Sequence, residues 1–292
     1  MIIFMDDYIK SGEICKKARE YGASLLEEGA KFIDIAEKIE AKIINLGGKP
    51  AFPVDIGIGY VAAHDSPAFN DERTLKKGDV VKLDLGVHVN GAISDTAITV
   101  EIDSDEHKGL IRSAEEALNK AIEIARPGVE IRIIGKTIQE TIQKHGFSPI
   151  INLSGHGVDL YEVHTKPTIP NYDNGDKTGL KEGQIFAIEP FATTGEGRVT
   201  EGKPSGIYEL IGEKSVRDKM ARVILSFIMT EYSTLPFSER WLIKKFGTNV
   251  KLPLLLLERE GVIRQFRILP EISKGCVAQA ERTIIVGKGV IN

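Results

Sequence analysis

Two aspartates in "DVVKLDLGVHVNGAISDTAITV", residues 79–100, are the first residues of this chain whose types and spacing point to chemistry. Val80, Val81, Leu83, Leu85, Val87 and Val89 precede Asn90-Gly91, and Ala92, Ile93, Ala97, Ile98 and Val100 follow it. That pattern predicts a hairpin, because Asn-Gly supplies the two positive φ angles of a two-residue turn. The turn sets Val89 opposite Ala92 and Asp95 opposite Gly86, so period-two alternation puts Asp84 and Asp95 on one face. They are diagonal neighbours, about 7–8 Å apart at the backbone. Two carboxylates in apolar strands cannot both stay ionised without compensation: one is protonated, as in an acid dyad, or cations neutralise them. A positive group is therefore expected over Gly86.

Further polar residues lie in an internal repeat. "GAKFIDIAEKIEAKIINLGGKPAFP" from Gly29 aligns without gaps on "GVEIRIIGKTIQETIQKHGFSPIIN" from Gly128. Ile39 falls on Ile138, Gly47 on Gly146 as a helix stop, and Pro50 on Pro149. "LKKGDVVKLD" from Leu75 likewise matches "LKEGQIFAIE" from Leu180, which puts Asp84 and Glu189 at one strand position of the two halves. Halves packed about a pseudo-two-fold axis would bring such carboxylates together. "NLSGHGVDLYEVHTKP" carries His156 between two glycines, with His164 following. "CVAQAERTIIV" reads as one alternating strand with Gln279, Glu281 and Thr283 on one face.

Composition narrows the setting of this chemistry. With 292 residues, 42% of them hydrophobic and 27% charged, the chain is long enough for one large or two modest domains with a real core. A net charge of −4 gives no general attraction to nucleic acid or anionic membrane. Cys15 and Cys276 are too few for a disulfide scaffold or a cysteine-rich zinc site, which suits a reducing compartment and predicts the cytoplasm. "MIIFMDDYIK" lacks the basic start and cleavage pattern of a signal peptide, and "LPLLLLEREG" is too short to cross a bilayer.

Asp84, Asp95, His156, Glu189 and Glu281, with the hairpin segment and the "GHG" and "IEPF" segments in order, resemble the type 2 methionine aminopeptidases in their short archaeal form. The resemblance covers nearly the whole chain. It implies the α/β (α+β) pita-bread fold: duplicated helix and strand halves around a curved, mainly antiparallel sheet, with a helical, winged-helix-like insert. Residues 1–207 and 265–292 would form the catalytic domain and 208–264 the insert, where Met220, Val223, Ile224, Phe227 and Ile228 mark an apolar helix face.

The resemblance implies two divalent ions, Co, Mn, Fe or Zn, held by Asp84 on one side and by His156 and Glu189 on the other, with Asp95 and Glu281 bridging. Oxygen ligands with one imidazole suit these ions, and four carboxylates balance two dications. Glu189 would shuttle the proton, and His64 and His164 would contact the scissile nitrogen and the carbonyl oxygen. Phe52 would line the methionine slot, and so would the region of Ile207, where the human branch has histidine. The implied substrate is the N-terminal segment of nascent polypeptides with a small second residue. No nucleic acid or membrane is required, the protein would be a monomer, and transient ribosome contact by the insert stays open. Proline dipeptidases share the five ligands and are the competing hydrolase reading. Non-catalytic relatives that dock on ribosomes have lost ligands that stand here.

Overall fold

A computed structural model describes residues 2–212, 214 and 216–292; Met1, Glu213 and Ser215, which fall in the two units expected above, lie outside the described residues. The hairpin forms in the expected register: Val80–Val89 pairs antiparallel with Ala92–Glu101, Val89 faces Ala92 and Gly86 faces Asp95. Asn90 and Gly91 take φ of 50° and 89°. Val81, Leu83, Leu85, Val87 and Val89 point to one face, where they pack on Ile14, Ala18, Ile35, Ile39 and Ile43 from the helices Ile2–Ala23 and Phe32–Asn45. Full burial of each such leucine or valine is worth roughly 1.5–3 kcal/mol. The even-numbered residues Lys82, Asp84, Gly86 and His88 are thereby turned to the other face.

This hairpin is one side of a nine-stranded antiparallel sheet. Asp55–Ile58 and Lys49–Pro50 add to the outer edge of Val80–Val89, and Glu281–Ile285 adds to Ala92–Glu101. Ile185–Ile188, Ser154–Asp159 and Glu162–Pro170 continue the sheet on the far side of Glu281–Ile285. There the helices Lys108–Ile124 and Ile131–Lys144 bury Leu110, Ala117, Ile134, Ile138 and Ile142 against Phe186, Ile188 and Ile284. Helices thus cover one face of the sheet in both halves and leave the other for the polar side chains.

The repeat is visible at the level of single hydrogen bonds. Phe32–Asn45 and Ile131–Lys144 have 14 residues each and stop before Gly47 and Gly146, at φ of 88° and 84°. Ahead of them, the N–H of Gly29 donates to Leu75 O and that of Gly128 to Leu180 O, both at 2.8 Å; Leu75 and Leu180 donate back to Ala30 and Val129, both at 2.9 Å.

Two expectations need correction. "CVAQAERTIIV" is not one strand: Val277–Gln279 pairs with Phe191–Thr193 in a separate three-stranded sheet, and Glu281–Ile285 joins the large one. The partner chain breaks at the same level, between Ile185–Ile188 and Phe191–Thr193, where Pro190 has no N–H to give a ladder. Pro190 O accepts instead from Ala280 N, at 3.2 Å. Over Gly86, moreover, lies an aromatic ring: a Cβ built there would stand 2.3 Å from Phe52 Cε1.

Residues 204–267 hold more than helices. Pro204–Leu210 lies between Phe237–Ser238 and Ile263–Arg267 in a three-stranded sheet, packed with the helices Lys219–Glu231, Glu239–Phe246 and Lys251–Arg259 around Tyr208, Ile224, Ile228, Phe237, Leu242 and Leu257. Asp218 and Ser238 cap the first two helices, accepting from Ala221 N and Arg240 N. Of the apolar face expected on Lys219–Glu231, Ile224 and Ile228 are buried and Val223 is exposed. Arg240 anchors this unit to the first half: its guanidinium donates to both Glu40 oxygens, at 2.9 and 2.6 Å, and to Pro67 O, and Trp241 Nε1 donates to Glu40 as well.

Candidate functional site

A cavity of about 530 Å³ opens on the helix-free side of the sheet, and every residue singled out from the sequence lines it: Phe52, His64, Asp84, Asp95, His156, His164, Glu189, Ile207 and Glu281. The hairpin supplies the aspartates. His156 comes from Ser154–Asp159, and its flanking glycines are forced: a Cβ at Gly155 would meet Ala187 O at 2.3 Å and one at Gly157 would meet Lys166 O at 2.2 Å. Glu189 and Glu281 sit at the two strand breaks described above, which turn both side chains toward the same point.

One donor atom each from Asp95, His156 and Glu281 lie within 4.8 Å of one another. His156 Nε2 is 3.7 Å from both Asp95 Oδ2 and Glu189 Oε1. Its Nδ1 donates to Gly157 O at 3.2 Å, which leaves the Nε2 lone pair directed at the carboxylates. A ligating histidine is commonly fixed by such a bond on its other nitrogen. Asp95 is held through its backbone: its N–H donates to Thr283 Oγ1 at 2.7 Å, and its carbonyl accepts from Thr283 Oγ1 at 2.9 Å and Asn292 Nδ2 at 2.5 Å.

The electrostatics test whether cations fit. Burial pushes Asp84 up to about 7. Asp95, Glu189 and Glu281 are driven well above the usual carboxylate range, first by burial and then by neighbouring carboxylates: Asp84 acts on all three, Asp55 adds to it at Asp95, and Asp95 acts on both glutamates. Oδ1 of Asp84, Oδ1 of Asp95 and Oε1 of Glu281 are buried without a hydrogen-bond partner. Gln279 answers part of this demand, with Nε2 3.0 Å from Asp84 Oδ2 and 3.5 Å from Glu281 Oε2. Burial lowers His156 to about 4, so its imidazole is neutral and free to coordinate. Orphaned carboxylate oxygens around one neutral imidazole are a donor set suited to divalent metal.

The other two histidines face the same space. His64 Nδ1 donates to Arg267 O at 3.1 Å, leaving Nε2 as an acceptor, and the ring meets Phe266 edge-on at 5.1 Å. The His164 ring packs edge-on against His156 at 4.5 Å. Desolvation holds both below the usual histidine range, and a charge on His164 would also be opposed by any charge on His156 or His64 and by that of Arg264. The sequence reading missed two residues here. Gln279 was placed on the face of Glu281 but given no role. Asp55, buried and lining the cavity opposite Asp84, is raised well above the carboxylate range by burial, then by Asp84 and Asp65. Nothing in "VDIGIG" separates it from an ordinary strand aspartate.

A metallopeptidase family M24 model matches residues 6–231. The chain belongs to that family. The methionine aminopeptidase of Pyrococcus abyssi is 47% identical over 286 residues, covering 97% of each chain, and that of Archaeoglobus fulgidus is 46% identical over 281 residues, covering 96% of this chain and 94% of its own. Among solved structures, a thermophilic Arx1 superposes with a TM-score of 0.85 at 16% identity, over 97% of this chain and 88% of that one. The Thermotoga maritima methionine aminopeptidase superposes with a TM-score of 0.72 at 22% identity, over 100% and 97%. At those identities the likeness concerns the fold, which is the pita-bread fold expected from the sequence.

Proposed function

We propose that this protein is a methionine aminopeptidase that removes the initiator methionine from nascent polypeptides whose second residue is small. The observation that carries the reading is the meeting of four carboxylates, two buried and two half-buried, a neutral His156 and two further histidines in one cavity. The near full-length likeness to archaeal methionine aminopeptidases supports it.

In this reading Asp84, Asp95, His156, Glu189 and Glu281 hold two divalent ions, Mn, Co, Fe or Zn. Bound there, the ions would offset the carboxylate charge, lower the pKa of water and polarise the substrate carbonyl. The protein's own groups do the rest. His64, with Nδ1 committed to Arg267 O, presents Nε2 to accept the scissile N–H and so orients the peptide. His164 donates to the carbonyl oxygen as negative charge develops on it. Glu189 takes the proton of the attacking water and returns it to the departing amine nitrogen as the C–N bond breaks. Phe52, held over Gly86, and Ile207, from the strand Pro204–Leu210, wall the methionine slot.

We read residues 208–264 as an insert on a catalytic domain of residues 1–207 and 265–292, acting as a monomer in the cytoplasm, where nascent chains emerge. No helix among the described residues is long and apolar enough to cross a membrane. The test is release of methionine by metal-reconstituted protein from Met-Ala-Ser, acetyl-Met-Ala-Ser and Met-Leu-Ser, with Ala-Pro alongside. Efficient cleavage of the first alone is expected. Comparable rates on all three methionyl peptides would end the reading, and preference for Ala-Pro would transfer the protein to the proline dipeptidases.

A further inference from the structure

The strands that carry Asp95 and Glu281 separate beside the cavity. Ala92–Glu101 and Glu281–Ile285 pair through Ala97 with Glu281 and Thr96 with Arg282. In that register the next pair would be Asp95 with Thr283, but Ile284 and Ile285 pair instead with Val290 and Gly289 of the returning strand Gly289–Val290. A gap therefore opens at Asp95, and both polar atoms of its backbone point into it. Buried backbone groups are costly to leave without partners, so something other than a ladder must serve them.

One amide side chain fills the gap. Asn292, 7% exposed, accepts from Thr283 N at 3.2 Å with Oδ1, and its Nδ2 donates to Asp95 O at 2.5 Å and to Ser94 Oγ at 2.8 Å. An acceptor and a donor on one planar group, facing two strands, reproduce the bonds that a peptide unit would make there. Thr283 Oγ1 adds a second link, accepting from Asp95 N and donating to Asp95 O. The segment that brings Asn292 is itself held. Ile291 N donates to Thr283 O at 3.1 Å, and the helix Ile2–Ala23 lets the segment pass at Gly12, where a Cβ would stand 2.2 Å from Ile291 O. Glu281 lies within the paired stretch and is served differently: its carbonyl accepts from Thr96 Oγ1 at 3.0 Å, which in turn accepts from Arg19 at 2.8 Å.

We propose that Asn292 is a positioning residue of the metal site: its amide stands in for the absent rung and holds Asp95 in a fixed relation to Glu281. The inference rests on the metal assignment made above and names what keeps the two bridging carboxylates in register. Among the described residues the bonds of Asn292 reach the backbone of Asp95 and Thr283 and the side chains of Ser94 and Cys15, and none reaches a carboxylate oxygen. Its action on metal is therefore through Asp95 alone. A bridging carboxylate needs such support more than a ligand of a single ion, since its two oxygens serve different ions. Groups that hold a ligand from behind commonly alter metal affinity by about 10- to 100-fold.

Asn292→Ala empties the gap, whereas Asn292→Asp keeps its shape and the acceptor for Thr283 N and loses only the donors. The second variant carries the test if the first does not fold. Val290→Ala, which trims an exposed side chain of the same returning segment, is the control. Each full-length protein is stripped with chelator and titrated with Co(II) well below its Tm, by calorimetry and by the visible absorption of the bound ion. The expected result is about 10- to 100-fold weaker Co(II) binding by both Asn292 variants, with an altered absorption band, and parent behaviour in Val290→Ala. At saturating Co(II) the Asn292 variants should show a lower kcat on Met-Ala-Ser with KM nearly kept. Parent-like affinity and absorption in Asn292→Asp would overturn the proposal, even beside a lowered Tm, because Asn292 would then serve stability alone. Equal loss of Co(II) affinity in Val290→Ala would overturn it too, by assigning the effect to the whole segment. A parent that binds no Co(II) overturns the metal assignment and this inference with it, whereas a parent that binds two ions beside Asn292 variants that bind them as tightly overturns the inference alone.

Discussion

The two halves of the sheet share a frame and differ in how they deliver chemistry. In the first half an uninterrupted hairpin carries Asp84 and Asp95 on adjacent strands, so their relation is set by the ladder. In the second half the strand that matches Val80–Val89 breaks at Pro190, and Glu189 sits at the break. Duplication has preserved helices, glycine stops and hydrogen bonds, while the cavity-facing residues have diverged: Asp84 against Glu189, Asp55 against Ser154. A symmetric site would bind a peptide equally in two directions. Divergence on the cavity side alone gives the site a polarity.

The most severe test of that division is to remove a carboxylate between the halves. Asp95→Asn or Glu281→Gln should abolish measurable turnover and lower metal stoichiometry, since each deletes a charge from the part of the cluster nearest His156. Near-normal activity with two ions still bound would show that the cluster does not act as one unit.

Next in size is the contrast within the second half. His164→Ala should lower kcat by about 10²–10³ with metal content intact, the usual consequence of losing one donor to a developing oxyanion. His156→Ala should lose metal first and recover part of its activity at high metal concentration. Equal metal loss in both variants would erase the distinction between the holding and the substrate-facing histidine.

How far these parts were legible depended on whether the deciding contact was local. Asn90-Gly91 fixes the hairpin register within two residues, so the shared face of Asp84 and Asp95 could be read directly from the sequence. The repeat was legible because its helices keep one apolar period and one glycine stop. The break at Ala280 was not, because it depends on Pro190 in a distant strand, and alternation simply runs on through "AQAERT". Phe52 over Gly86 was hidden for the same reason: a glycine in a strand announces close approach without naming what approaches. In the insert, Phe237–Ser238 is two residues long and carries no period of its own.

A third test concerns the polar anchor that ties the insert region to the first half. Glu40, in the first repeat helix, takes two Arg240 hydrogen bonds and one from Trp241, whereas Gln139, its counterpart, accepts among the described residues only from the nearby Asp173 N. Arg240→Ala should cost about 3–5 kcal/mol in denaturant unfolding, because it strands a buried Glu40. Lys49→Ala, which removes the exposed pair with Glu231, should cost about 1 kcal/mol or less. Gln139→Ala should resemble the latter. Similar small losses in all three would mean that the region is held by apolar packing and not by this anchor.

Smaller effects than the loss of Arg240 come from glycines that neighbour cavity-lining residues in the two halves, and they should differ in kind. At Gly86 an added Cβ meets the Phe52 ring, the movable end of a side chain, whereas at Gly155 it meets Ala187 O, part of the backbone that carries Glu189. Gly86→Ala can be accommodated by tilting the ring, so the fold should survive while the methionine slot changes shape. Its KM for Met-Ala-Ser should rise about 10-fold, in line with the roughly 1–3 kcal/mol that one methylene is worth in an apolar pocket, with kcat nearly kept. Gly155→Ala cannot be relieved by a side chain, because a strand must shift. It should lower stability by about 1–3 kcal/mol and, by displacing His156, reduce metal affinity more than KM. Measuring Tm, bound metal, kcat and KM for both variants separates the cases. If Gly86→Ala loses metal as Gly155→Ala does, Phe52 is part of the frame around the carboxylates and not a wall of the substrate slot.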